Sequence, residues 1–343
     1  MLKLNGAARL LAFLLCAAFV LTAYTLSSRV SAREVGGLLV AGDSISSGRG
    51  LDDRAGKRYG GVFAAKFGLS GGKSINVAED SMTSADLLGK LPEYEASIKA
   101  TDLMVISIGT DDIMSIIMPA LDPAGEGLSY AELLERVRDD DYIRRVKEAA
   151  DQNALFNAAV KYSFNLGEII TLIRQANPGI RIVFLSLYNP FDGPRQLSEL
   201  KVAFDPYIKM MNDALELAAE KNGCRVFDLA GAFEGRADQL THIASLDISP
   251  SAAGHMLIAD LLIDLIPTLP DPPETEPPVT EDTSDLQTTD TDDQPETTTS
   301  NPLDIIITPP ESRLWIYILV AVCAGGTGIA IGALSVKAKK EDK

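Results

Sequence analysis

Between residues 35 and 267 the chain switches repeatedly between two hydrophobic spacings. Short, β-rich apolar runs occur at Gly37–Ala41, Ser74–Ala78, Leu103–Ile108, Arg181–Leu187 and Arg225–Leu229. Between and after them, apolar positions recur at helical spacing near Tyr59–Phe67, Ser84–Leu91, Asp141–Ala176, Pro206–Lys221 and Ser251–Ile266. Strands this continuously apolar are buried on both faces, and strands separated by amphipathic helices form βαβ units. The pattern predicts an α/β domain built on a parallel sheet, with right-handed crossovers. Sites in such sheets lie at the carboxyl ends of the strands, here after Ala41, Ala78, Ile108, Leu187 and Leu229. The stretch from Ile113 to Arg144 is longer than an ordinary connection and reads as an insertion or lid.

Outside this region the pattern changes. Lys3 and Arg9 precede an apolar run from Leu10 to Leu26, and Val30-Ser31-Ala32 follows as a small-residue cleavage pattern. Residues 1–32 therefore read as an export signal, or as an uncleaved anchor. A second apolar run, Leu314 to Leu334, spans about 31 Å as a helix, one bilayer core. Trp315 and Tyr317 stand at its start, and Lys337, Lys339, Lys340 and Lys343 follow it. Basic residues stay inside, so residues 335–343 are expected to be a cytoplasmic tail and the domain at 35–267 extracellular. Residues 268–312 are rich in Pro, Thr, Asp and Glu and read as an extended acidic stalk.

Charge and cysteine content narrow the class. Of 343 residues, 31 are basic and 48 acidic, a net charge of −17. Twelve acidic residues and no basic ones lie between Asp271 and Ser312, which leaves −5 for the rest. A nearly balanced body with an acidic tract lacks the basic face that nucleic acid requires. Cys16, Cys224 and Cys323 offer no disulfide framework or metal cluster.

The first strand runs into Gly42-Asp43-Ser44 and then Ile45-Ser46-Ser47-Gly48. A serine at a strand-to-helix turn suits a nucleophile, because nearby amides and the helix start favour negative charge there; an N-cap serine would look the same. Four further blocks accompany it in order: Asn76-Val77-Ala78 with Thr83-Ser84-Ala85-Asp86-Leu87-Leu88, Ser107-Ile108-Gly109-Thr110-Asp111-Asp112, Leu187-Tyr188-Asn189-Pro190-Phe191, and Ser249-Pro250-Ser251-Ala252-Ala253-Gly254-His255. Together, over about 230 residues, these blocks resemble the SGNH/GDSL hydrolase family, in its lysophospholipase-like esterase branch. The resemblance implies a flavodoxin-like three-layer α/β/α sandwich whose five parallel strands are ordered 2-1-3-4-5. It also implies acyl-ester hydrolysis without a cofactor. A serine attacks the carbonyl, a histidine takes its proton and an acid orients the histidine.

Residue by residue, the resemblance gives Ser44 as nucleophile and Asp43 as a residue shaping the turn. Of the three oxyanion donors, the serine amide belongs to Ser44, and the glycine position after the second strand falls on Ser81. The asparagine position after the third strand falls on Asp111. Gly109 and Asn189, in the blocks closing the third and fourth strands, count among the binding positions. The histidine position falls on Ser249, and the acid three residues earlier on Leu246, with Asp247 one place off. A side chain at 81 crowds the oxyanion hole, a carboxylate at 111 offers it no donor, and a hydroxyl at 249 is no base. His242 is the possible substitute base and Asp247 the possible acid, although a solvent-exposed loop reading suits His242 as well. His255, inside the last helix, reads as structural. Asp43, Asp111, Asp112 and Asp247 lack any ligand spacing that would assign a metal.

These readings make the chain a membrane-tethered extracellular serine hydrolase acting on acyl or acetyl esters of an envelope glycan or lipid. The alternative is a catalytically impaired relative that binds a surface carbohydrate or acyl ligand. A spacer or scaffold without a ligand is the third possibility, and nucleic acid is not expected as a partner.

Overall fold

The computed structural model describes residues 35–269. The export signal at 1–32, the stalk beyond residue 269, the apolar run Leu314 to Leu334 and the tail at 335–343 lie outside the described residues. Among the described residues, no helix is long and apolar enough to cross a membrane.

Strand β1 (Leu38–Gly42) leads into the one-turn helix α1 (Ser44–Ser47). Helices α2 (Arg54–Lys57) and α3 (Tyr59–Lys66) return the chain to β2 (Ser74–Asn76). Next come α4 (Ser84–Lys90), α5 (Glu95–Lys99) and β3 (Leu103–Ser107). Four helices then follow: α6 (Thr110–Leu121), α7 (Tyr130–Arg136), α8 (Asp140–Ala149) and α9 (Gln152–Ala176). Strand β4 (Arg181–Leu185), α10 (Ser198–Lys221) and β5 (Arg225–Phe227) complete the sheet. Helices α11 (Leu229–Phe233), α12 (Ala237–Leu240) and α13 (Ala252–Leu265) end the domain.

The five strands pair in parallel in the order β2-β1-β3-β4-β5, as the resemblance implies. Leu38, Val40, Leu103, Val105, Val183 and Leu185 form one core with Tyr59 and Phe63 of α3 and Ile258 and Leu262 of α13. The alternate side chains Leu39, Ala41, Met104, Ile106, Ile182 and Phe184 are buried on the opposite face, as a period of two requires. Helices α9 and α10 meet this sheet at the ends of β3 and β4. There the Tyr162 hydroxyl donates to the Ile108 carbonyl at 3.2 Å, and the Asn212 amide spans the Leu187 backbone at 2.7 and 2.8 Å. The central strands need no polar face, which is why their runs were apolar throughout.

One expectation changes. The helical run expected over Asp141–Ala176 is two helices, because the Asp151 carboxylate accepts from the Asn153 and Ala154 amides and starts α9 afresh. Most of the stretch from Ile113 to Arg144 lies in the three helices α6, α7 and α8. A capping box, Ser129 with Glu132, starts α7 there.

Candidate active site

Three strand ends build the site. At Gly42 φ is 114°, and a Cβ would lie 1.8 Å from the Ser107 carbonyl oxygen. Only glycine lets β1 turn this close to β3. Asp43 then caps α1. Its Oδ1 accepts from the Ile45 amide at 3.1 Å and from the Ser107 hydroxyl at 2.7 Å, and its own amide donates to the Ser107 carbonyl at 2.8 Å. Burial first, and then the charge of Asp111, push its pKa up to about 8. Ser44 opens α1 and is 7% exposed.

One backbone amide holds the Ser44 hydroxyl. The Ser81 amide donates to Oγ at 2.8 Å. Ser81 reaches it from the loop after β2 in the left-handed region, at φ 61°, and its own hydroxyl accepts from Arg49 Nη1 at 3.3 Å. Asp111 stands in the first turn of α6. Gly109, at φ 111°, starts that helix, and a Cβ there would fall 2.6 Å from the Tyr162 ring. Burial raises the Asp111 pKa to about 6, Arg49 opposes the rise and Asp112 adds to it. Asp111 Oδ2 is buried without a protein partner.

The neighbouring carboxylates do structural work. Asp112 accepts from the Ser84 amide at 2.8 Å and the Ser84 hydroxyl at 2.6 Å, which ties α6 to α4. Asp80 is held by both Arg54 guanidinium nitrogens, at 3.0 and 2.8 Å, and by the Ser47 hydroxyl.

The remaining candidates form a second group beside α1. A bridge between Thr241 and Pro250 closes the loop that carries them. Ser249 is buried and its hydroxyl has no partner, while its amide donates to Asp247 Oδ1 at 2.9 Å. A Cβ on Gly50 would lie 2.7 Å from His242 Cδ2 and 3.4 Å from Asp247 Oδ2, so both side chains sit against the turn after α1. His242 is half-buried rather than exposed, because the closed loop folds its ring inward, and its Nε2 is unpartnered. Among the described residues no hydrogen bond joins its ring to Ser44 or to Asp247. Asp247 instead pairs with Arg49, Nε to Oδ2 at 3.6 Å.

Two other residues are committed elsewhere. Asn189 donates to Asp205 Oδ1 at 2.7 Å and to the Lys201 carbonyl at 3.2 Å, and accepts from the Phe191 amide at 2.9 Å. Its amide has no donor left for a ligand, and it pins the loop after β4 to α10 instead. His255 is fully buried, stacks on Tyr59 and accepts from the Tyr59 amide at 3.2 Å through Nδ1.

The sequence reading missed Arg49 and Tyr188. Arg49 touches both groups, through Ser81 and Asp247, and its place five residues after Ser44 was the one local signal for it. Tyr188 is buried, donates to the Ile248 carbonyl and feels the charges of Asp43, Asp247 and Asp111, which places it behind both groups. Chemically, the site presents a serine hydroxyl that accepts from a backbone amide, with a guanidinium bonded to the side chain of the residue that supplies that amide.

The model of the GDSL-like lipase/acylhydrolase family matches residues 40–257. No curated protein matches the chain. Among solved structures, the lipase Lip_vut3 from a goat rumen metagenome is similar at 20% identity over 66% of this chain and 96% of that one, with a TM-score of 0.47. An extracellular lipase from Streptomyces rimosus is 21% identical over 66% of this chain and 98% of its own, also at a TM-score of 0.47. A lipase/acylhydrolase from Enterococcus faecalis is 18% identical over 70% of this chain and 100% of its own, at 0.44.

Proposed function

The chain belongs to the GDSL-like lipase/acylhydrolase family, and from that premise we propose that it is a serine hydrolase of carboxylic esters with Ser44 as nucleophile. One observation carries this reading: the Ser44 Oγ accepts the Ser81 amide at 2.8 Å, at the carboxyl end of the central strands. That amide is placed to follow the negative charge when it moves onto a bound carbonyl. The Ser44 amide at the start of α1 is the second donor. The substitutions at Ser249 and Asp111 favour the pure binder, and the amide-held hydroxyl of Ser44 weighs against it.

The test is covalent labelling by a fluorophosphonate together with turnover of short p-nitrophenyl esters. Ser44→Ala should abolish both. Labelling that persists in folded Ser44→Ala would place the nucleophile elsewhere.

The termini extend the proposal to place and substrate. A signal-like segment, an acidic stalk and an apolar run followed by lysines support an exported enzyme tethered to the membrane, acting on acyl or acetyl esters of envelope glycan or lipid. Protease treatment of intact cells should release the domain by cutting within 268–312. Retention after that cut would mean that the N-terminal run is also an anchor.

A further inference from the structure

The amide that holds the nucleophile comes from a residue in an unusual backbone state. Ser81 lies at φ 61°, in the left-handed region that a side chain disfavours, and its amide donates to Ser44 Oγ at 2.8 Å. Its hydroxyl accepts from Arg49 Nη1 at 3.3 Å. Arg49 is tied to the nucleophile turn as well, because its own amide donates to the Ser44 carbonyl at 3.2 Å. Its Nε faces Asp247 Oδ2 at 3.6 Å, and Asp247 Oδ1 accepts from the Ser249 amide at 2.9 Å. We propose that Arg49 is a positioning residue for the oxyanion hole. Through the Ser81 hydroxyl it holds the Ser81 backbone with its amide on Ser44, and Asp247 orients the guanidinium for that task. The proposal rests on the ester-hydrolase reading above and adds to it what keeps the donor after β2 in place.

Other contacts fix the loop after β2 before it reaches Ser81. The Glu79 amide donates to the Gly42 carbonyl at 3.0 Å. Asp80 is clamped by both Arg54 nitrogens and by the Ser47 hydroxyl. Neither contact sets φ of Ser81 itself, on which the direction of its N–H depends. The Arg49 bond acts on Ser81 directly. A glycine in that conformation would carry no steric cost and need no tether. Serine brings the cost, and with it the hydroxyl that Arg49 holds.

The arrangement also gives Asp247 a task away from any imidazole. Its carboxylate lies against the same turn as His242, yet its partners are the Arg49 guanidinium and the Ser249 amide. Arg49 is half-exposed, so shortening it leaves the core of the domain intact. What it changes is the aim of one donor. A donor that has drifted from the oxyanion weakens a bond that is strongest in the transition state, so the loss falls on kcat rather than on KM.

A cycle of variants tests whether Arg49 acts through Ser81. Full-length wild type, Arg49→Ala, Ser81→Ala, Ser81→Gly and the double variant of Arg49→Ala with Ser81→Gly are assayed on p-nitrophenyl acetate and labelled with a fluorophosphonate. Amide exchange at Ser81 is followed by mass spectrometry. Arg49→Ala should lower kcat by about tenfold or more, leave KM within about twofold and speed Ser81 exchange by about tenfold. Ser81→Ala keeps the Cβ, removes the hydroxyl and should lose about as much. Against Ser81→Gly, the added Arg49→Ala change should cost no more than about twofold, because glycine needs no tether. Asp247→Asn should lose less than Arg49→Ala, and nothing further once Arg49 is alanine. Equal Arg49→Ala losses with serine and with glycine at 81 overturn the proposal and leave the hydrolase reading intact, since the guanidinium would then act on the substrate directly. A loss confined to KM does the same. Unchanged Ser81 exchange in Arg49→Ala overturns the proposal in an active and in an inactive protein alike. Wild type that neither labels nor turns over overturns the hydrolase reading and the catalytic role of Arg49 together.

Discussion

His255 tests the electrostatics of the domain most directly, because it is fully buried and its charged form has nowhere to go. Burial, the nearby His242 and then Arg58 depress its pKa to about 3. A histidine whose folded pKa lies below the unfolded value near 6.5 adds stability above 6.5, and that contribution is lost as pH falls toward 3. Between pH 7.5 and 5 the unfolded chain gains a proton that the folded one refuses, which costs about 2 kcal/mol. The raised carboxylates run the other way. Asp43 and Asp111 hold protons more tightly when folded, so they add stability as pH falls through about 8 and 6. The wild-type curve therefore mixes both signs, and a difference between two proteins isolates the histidine. His255→Asn keeps an acceptor for the Tyr59 amide, removes the titration and loses ring packing worth about 2–4 kcal/mol at every pH. Urea unfolding of both proteins should show the variant weaker at pH 7.5, with the gap closing by about 2 kcal/mol at pH 5. A gap that stays constant within about 0.5 kcal/mol would refute the argument. It would mean that His255 accepts a proton in place.

Two further outcomes follow from local geometry. Gly42→Ala places a Cβ 1.8 Å from the Ser107 carbonyl oxygen at positive φ, and it should cost about 3 kcal/mol or more. A thermal midpoint within about 2 °C of wild type would contradict the close approach of β1 and β3. Ser249→Ala removes a buried hydroxyl that has no partner and should raise the urea midpoint by an amount worth about 1 kcal/mol. A fall of that size would show the hydroxyl to be bonded.

The central sheet was legible for a physical reason. A strand buried on both faces, such as Leu103–Ser107, has no polar positions to interrupt its apolar run. Limits between helices were less legible. Around Ala149, Ala150 and Asp151 the helix formers continue without a glycine or proline, and only the Asp151 cap divides α8 from α9. The turn at Gly42-Asp43-Ser44 could be read because its residues are neighbours. Arg49, Asp247 and Ser81 could not be connected in advance, because Asp247 is carried on a bridged loop some two hundred residues from β1. Asn189 shows the reverse failure. A residue type that suits a ligand was placed at a strand end and then engaged entirely by α10 and its own turn.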